Sequence, residues 1–172
     1  MIIFETARLI VRRYDASDVE DFYLLNSDPD VMRYIRQPKT FEESRQFLLE
    51  NIAFYDKHPQ FGRFAVNEKG SGNFTGSFAI IPLDHTNHWQ VGYALMKPYW
   101  GKGYATELVK SGLDYAFNIC GLEYLAGVTE ILNDDSQKVL LKAGFVYEKN
   151  FIEGVKELKL FSITPCPPKG GT

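Results

Sequence analysis

Apolar and polar positions change their period several times along the chain, and each change marks an element. Residues 9–14, which open on Leu9, Ile10 and Val11, predict a strand. Ser17 and Glu20 then stand in the S-x-x-E arrangement of a capping box, predicting a short helix to about Asn26 that Asp28-Pro29 breaks. Thr40 and Glu43 repeat the arrangement, and Phe47, Leu48, Ile52 and Tyr55 recur at helical spacing, so a second helix is predicted over residues 41–56. Residues 61–67 and 74–83 are aromatic and β-branched runs separated by turn residues 68–73, the pattern of an antiparallel hairpin. A third strand follows at residues 89–96. Pro98 to Gly103 interrupts it, and Ala105, Leu108, Val109, Gly112 and Ala116 trace the buried face of a helix ending near Gly121. Residues 124–131 predict a strand, 136–143 a short helix closed by Gly144, and 145–151 with 155–163 a final pair of strands. Most strands are hairpin-linked, but the strand–loop–helix–strand unit around Gly101 needs a parallel crossover, so a mixed α+β sheet is predicted. One domain over residues 1–164 accommodates all of it, and residues 165–172 have the composition of a disordered tail.

At 172 residues, 45% hydrophobic and 24% charged, the chain buries enough apolar surface to order one core, which excludes a disordered or fibrous chain. No run approaches 18 apolar residues and an acid stands at Glu5, so neither a membrane span nor a secretory leader is expected. Cys120 and Cys166 make no disulfide framework and no zinc spacing, which suits a reduced cytoplasm, with Cys120 read as a buried apolar filler. A net charge of −3 without a basic run argues against extensive nucleic-acid binding. His85 and His88 lack a third ligand at recognisable spacing, so no metal is expected.

The segment Gly101, Lys102, Gly103, Tyr104, Ala105, Thr106 lies where a strand ends and a helix begins. Unpaired backbone N–H groups and the helix dipole converge there on a point that suits an anion, and Lys102 adds positive charge. Glycine turns before helices are also common as plain turns, and both readings stand on these residues alone. The phosphate-binding form GxxxxGK[ST] is absent, and the dinucleotide form needs a glycine or alanine where Thr106 stands. Glu123, 20 residues beyond Gly103, precedes its strand instead of ending it, which argues against a ribose ligand.

The stretch from Val91 to Glu107, VGYALMKPYWGKGYATE, resembles motif A of the GNAT superfamily of acyl-CoA N-acyltransferases. It is most similar to the branch of the ribosomal-protein N-terminal acetyltransferases RimJ and RimL, in which a tryptophan, here Trp100, precedes GKGYATE. Residues 6–12, TARLIVR, resemble the opening strand of that branch, and Asn133 to Ser136 with Lys142 to Phe145 resemble its N-x-x-S and K-x-G-F segment. The resemblance implies the GNAT fold: a twisted, mostly antiparallel sheet of about seven strands with a splayed parallel pair, flanked by about four helices. It implies that residues 100–106 bind acetyl-CoA, the backbone from Gly101 to Thr106 gripping the pyrophosphate. The strand at Leu95 and Met96 would pair with the pantetheine arm, and the N–H of one of them would receive the thioester oxygen. Asn133 would orient the pantetheine; a helix cap is the alternative. The family tyrosine that protonates the departing sulfur falls here on Leu140, and Ser136 is its suggested substitute, with helix capping again the alternative.

The implied reaction is direct attack by a primary amine, a peptide N-terminus or a small molecule, on the thioester in a ternary complex without a covalent enzyme intermediate. Gln90 stands where family members often carry a glutamate base. At pH 7 an α-amine of pKa about 8 is about a tenth neutral and a lysine amine about 0.04% neutral, a difference of about 3 kcal/mol favouring weakly basic acceptors. Replacement bases are Glu130, His85, His88, Glu153 and Glu157, and the acceptor pocket is expected from Met32, Arg33, Tyr34, Phe54 and Tyr55. The missing tyrosine and glutamate also suit an acyl-CoA-binding module that senses its ligand without turnover. Exposed strand edges suit a homodimer.

Overall fold

The computed structural model describes residues 1–167, so residues 168–172 of the expected tail lie outside the described residues. The strands are β1 (Ile2–Glu5), β2 (Leu9–Arg13), β3 (Gly62–Glu68), β4 (Phe74–Pro82), β5 (Trp89–Leu95), β6 (Leu125–Glu130), β7 (Val146–Glu153) and β8 (Lys156–Ile163). They form one eight-stranded sheet in the order β1-β2-β3-β4-β5-β6-β8-β7. Neighbours are antiparallel except β5 and β6, whose crossover is the expected loop and helix. The helices are α1 (Val19–Ser27), α2 (Pro29–Met32), α3 (Phe41–Lys57), α4 (Tyr104–Asp114) and α5 (Asp134–Ala143).

The mixed sheet and its element order follow the sequence pattern, with differences at the edges. β1 raises the strand count from about seven to eight; a short apolar run at the chain start carries no turn signal to announce it. The helix count rises to five because Asp28 does not only end α1. Its carboxylate accepts from the Asp30 and Val31 amides and starts the single turn of α2. The first capping box is made by Asp15 and Asp18, not by Ser17 and Glu20, and it opens a 3-10 turn, Ala16–Asp18, ahead of α1. Thr40 and Glu43 do form the box expected of them. α4 stops at Asp114 and a π-helical turn, Tyr115–Ile119, carries the chain on to Gly121.

Strand alternation divides the core into two layers. Phe64, Phe78, Ile80, Val91 and Leu95 pack against Leu108 and Val109 of α4. On the other face, Ala65 packs with Phe22 and Leu48, and Ala94 with Leu25 and Met32, beneath α1 to α3. The first layer is drawn tight at Gly112, where an added Cβ would stand 2.3 Å from Phe78 Cζ. Gly112→Ala is therefore expected to destabilise the protein by about 1–3 kcal/mol through overpacking, read as a lower urea midpoint at unchanged slope.

Candidate active site

The anion-binding reading of the glycine loop rests on local backbone geometry. Gly101 and Gly103 take left-handed φ values of 73° and 79°, which turn the chain from β5 into α4. Gly103 is the N-cap and no side chain caps the helix, so the first amides of α4 remain available to an external acceptor. A Cβ at Gly101 would meet nothing within 4 Å, so the loop presents open backbone. Glu107, one turn into α4, ties this terminus to the start of the sheet. Its carboxylate accepts from Thr6 Oγ1 at 2.6 Å and pairs with Arg8 Nε at 3.0 Å. The Arg8 guanidinium lies 4.4 Å above the Tyr104 ring and beside Gly103, while Tyr104 donates its hydroxyl to Glu68. Burial pushes the Glu107 carboxyl up, but the bonds from Thr6 and Arg8 outweigh it and hold the group below the ordinary carboxylate range.

Next to the loop the sheet opens. β5 and β6 share only the register pairs Gln90 with Ala126 and Val91 with Gly127, after which they part. Met96 N–H donates to Thr75 O at 2.8 Å, so that amide is occupied and faces β4. Alternation then turns the backbone of Tyr93 and Leu95 toward the gap. Of the two amides the sequence offers for the thioester oxygen, the gap therefore presents that of Leu95. Trp100 Nε1 donates to Leu95 O at 2.7 Å and fastens the loop to the strand end.

A cavity of about 300 Å³ passes through this gap, lined by α1 and α2 residues on one side and by Asn133, Ser136 and Leu140 on the other. Asn133 is the N-cap of α5, its side-chain oxygen accepting from Ser136 N–H at 3.2 Å, and its amide nitrogen has no partner among the described residues. Ser136 therefore is not the cap. Its hydroxyl lies 3.0 Å from the Tyr93 hydroxyl instead. Burial raises the Tyr93 pKa above the ordinary phenol value, so the ring keeps its proton at neutral pH. Leu140 is buried against Gly127, where its methyl groups would stand 2.9 Å from an added Cβ.

The other expected residues separate clearly. Met32 and Tyr34 line the cavity, and Phe54 lines an adjoining hollow. Arg33 is exposed above the Tyr34 ring, and Tyr55 is buried, its hydroxyl donating to Arg63 O and accepting from Tyr14 N–H. Gln90 donates its amide to Pro82 O at 3.2 Å. Glu130 lines the cavity but pairs with Lys156 at 3.1 Å, and Glu153 also lines it. His85, His88 and Glu157 lie outside it, His88 against the Tyr124 ring. Cys120 is half-buried, and burial pushes its thiol pKa up, away from nucleophile behaviour. Among the described residues, no three His, Cys, Asp or Glu side chains converge as a metal site, and no helix is long and apolar enough to cross a membrane. Tyr93, Arg8, Arg36 and Arg63 were not singled out as site residues by the sequence. Tyr93 and Arg8 fall inside the family-like segments, whereas neither arginine on the opposite face carries a motif.

A family model described as Acetyltransferase (GNAT) domain matches residues 8–146, and the chain belongs to that family of acyl-CoA-dependent N-acetyltransferases. The chain is 28% identical over 142 residues to spermidine N(1)-acetyltransferase of Escherichia coli (strain K12), covering 80% of this chain and 73% of that one. A GNAT-family acetyltransferase structure from Bacillus anthracis superposes with a TM-score of 0.83 at 25% identity, covering 95% of this chain and 98% of that one. RimL, a ribosomal L7/L12 α-N-protein acetyltransferase in complex with coenzyme A, shares the fold with a TM-score of 0.81 at 15% identity, covering 95% and 98%.

The depressed Glu107 pKa makes the tether pH-dependent. Its stabilisation is fully present above the unfolded value of about 4.3 and is lost as pH falls through the lower folded value. Denaturation midpoints measured from pH 6 down to about 3 are expected to fall more steeply in the wild type than in Glu107→Gln, which starts lower and carries no titrating group there.

Proposed function

We propose that the protein transfers the acetyl group of acetyl-CoA to a primary amine by direct attack within a ternary complex. The observation that carries this reading is the unpaired edge of β5 beyond Val91, lying beside the uncapped N-terminus of α4. The amides of residues 101–106 would hold the pyrophosphate, with Lys102 adding charge nearby. Leu95 N–H would receive the thioester oxygen as it becomes an oxyanion, and the free amide nitrogen of Asn133 would bond the pantetheine arm. Ser136, hydrogen-bonded to the protonated Tyr93, would deliver a proton to the departing sulfur, and the proton shed by the attacking nitrogen would pass to solvent and restore the hydroxyl pair.

Of the carboxylates lining the cavity, Lys156 neutralises Glu130 and Glu153 sits at the exposed turn of the last hairpin, while Gln90 stands where a glutamate base is often found. An amine that is already partly neutral, a peptide α-amine or a weakly basic small amine, suits such a site. Two free cysteines suit a reducing cytoplasm as the place of action. Thiol release from acetyl-CoA is expected to depend on added amine, and Ser136→Ala is expected to lower kcat about tenfold with little change in the KM for acetyl-CoA. Tight coenzyme binding with no amine-dependent thiol release would identify an acyl-CoA-binding module instead.

A further inference from the structure

Two arginines project from the side of the cavity opposite α5, and the transfer chemistry leaves both unused. Arg63 stands on β3 in register with Ala79 of β4, which is in register with Gly92 of β5. The three share one face of the sheet, and the Ala79 methyl group and the bare backbone of Gly92 form a low floor between the guanidinium and the gap. Arg36 follows α2 and reaches the same space. Both guanidiniums lie against the Phe47 ring, at 5.1 Å for Arg36 and 4.6 Å for Arg63.

Both are half-buried at the cavity and carry no countercharge. Arg8 and Arg12 are paired with Glu107 and Asp18, whereas Arg36 and Arg63 have no acidic partner among the described residues. Arg36 is fixed by a neutral group, donating to Asn26 Oδ1 at 2.8 Å, and buried Asn26 is itself held by donating to Phe22 O. An amide anchors a guanidinium without cancelling its charge. Of the carboxylates around the cavity, Glu130 is taken by Lys156, and Glu153 sits at the exposed turn of the last hairpin. Glu50 and Asp84 line the adjoining hollow with Arg63 but form no ion pair with it.

We infer that the acceptor amine carries an oxyanion, a carboxylate or a comparable group, and that Arg36 and Arg63 bind it while the amine reaches the thioester across Ala79 and Gly92. This rests on the acetyl-transfer reading and names the substrate class of the same site. Burial, with the charge of Arg36 next in importance, pushes Arg63 down to about 10, and burial lowers Arg36 too. An arriving anion relieves that cost, and the planar forks of two arginines suit two-point contact with an oxyanion. A polyamine would bring further positive charge against them.

The test compares small α-amino acids with their carboxamides, with aminoalkylphosphonates and with spermidine as acceptors for the full-length protein. Acid forms are expected to exceed their amides in kcat/KM by about 10- to 100-fold. The ratio should fall toward one in Arg63→Gln and Arg36→Gln, and Arg63→Lys should keep part of it. Preference for a phosphonate over a carboxylate would support the oxyanion site and name its source. Equal or better use of amides or spermidine, or an unchanged ratio in Arg63→Gln, would overturn the inference. Calorimetric binding of an N-acetyl amino acid against its amide reads the arginine pair without turnover. Acid-selective binding without acetylation of any amine would refute the transfer reading alone, and acetylation with no preference for the acid would refute this inference alone.

Discussion

A sheet that opens in its middle leaves peptide groups unpaired, and buried N–H and C=O groups without partners are costly. This protein accepts that cost along a few residues. β5 is committed to β4 over its whole length and β6 to β8 over its whole length, so each of the two strands follows its outer neighbour. The pair meet only at Gln90–Val91 and Ala126–Gly127, and from there the normal twist of each half carries them apart. The amide of Leu95, with the backbone of Tyr93, is thereby presented to a cavity that another extended chain can enter. A pantetheine arm supplies alternating acceptors and donors for such an edge.

The surroundings maintain the opening from both ends. Trp100 holds the Leu95 carbonyl, so the last residue of β5 cannot turn back toward β6. Glu107 joins the start of α4 to Thr6 and Arg8 and sets the glycine loop at a fixed height beside the gap. On the far side, Leu140 seats α5 directly on Gly127, which places Asn133 and Ser136 at the cavity wall. An uncapped helix terminus, an unpaired strand edge and a hydroxyl pair thus border one gap, while α1 and α2 cover the opposite face. Electrostatics divide along the same line. Backbone amides lie open at the glycine loop, and Arg36 with Arg63 lie on the opposite side of the cavity.

Much of the scaffold could be read from the chain because local signals and tertiary structure agreed. The Thr40 and Glu43 box, the turn at residues 68–73 and the apolar stripe from Ala105 to Ala116 each act over a few residues, and each is present in the fold. Capping was harder to place where several acceptors compete. Asp15, Ser17 and Asp18 crowd one turn, and the winning pair depends on Arg12 holding Asp18 in place across 2.8 Å. The glycine loop announced itself because its backbone needs are local. The Tyr93 and Ser136 contact did not, since it joins residues 43 positions apart through a gap that no sequence period encodes. Arg36 and Arg63 were hidden for the same reason. An arginine in a strand reads as a solvated face, and only the assembled sheet shows that Arg63 lies against Phe47 and beside Ala79, with no carboxylate paired to it among the described residues.

A crystal structure of the protein with coenzyme A bound bears most directly on the opening between β5 and β6. The diphosphate should rest on the amides of residues 101–106, and the pantetheine should lie along the free edge of β5 with its terminal end near Leu95 N–H and Ser136 Oγ. A coenzyme seated elsewhere, or strands β5 and β6 found paired through residue 95 with no room between them, would contradict it.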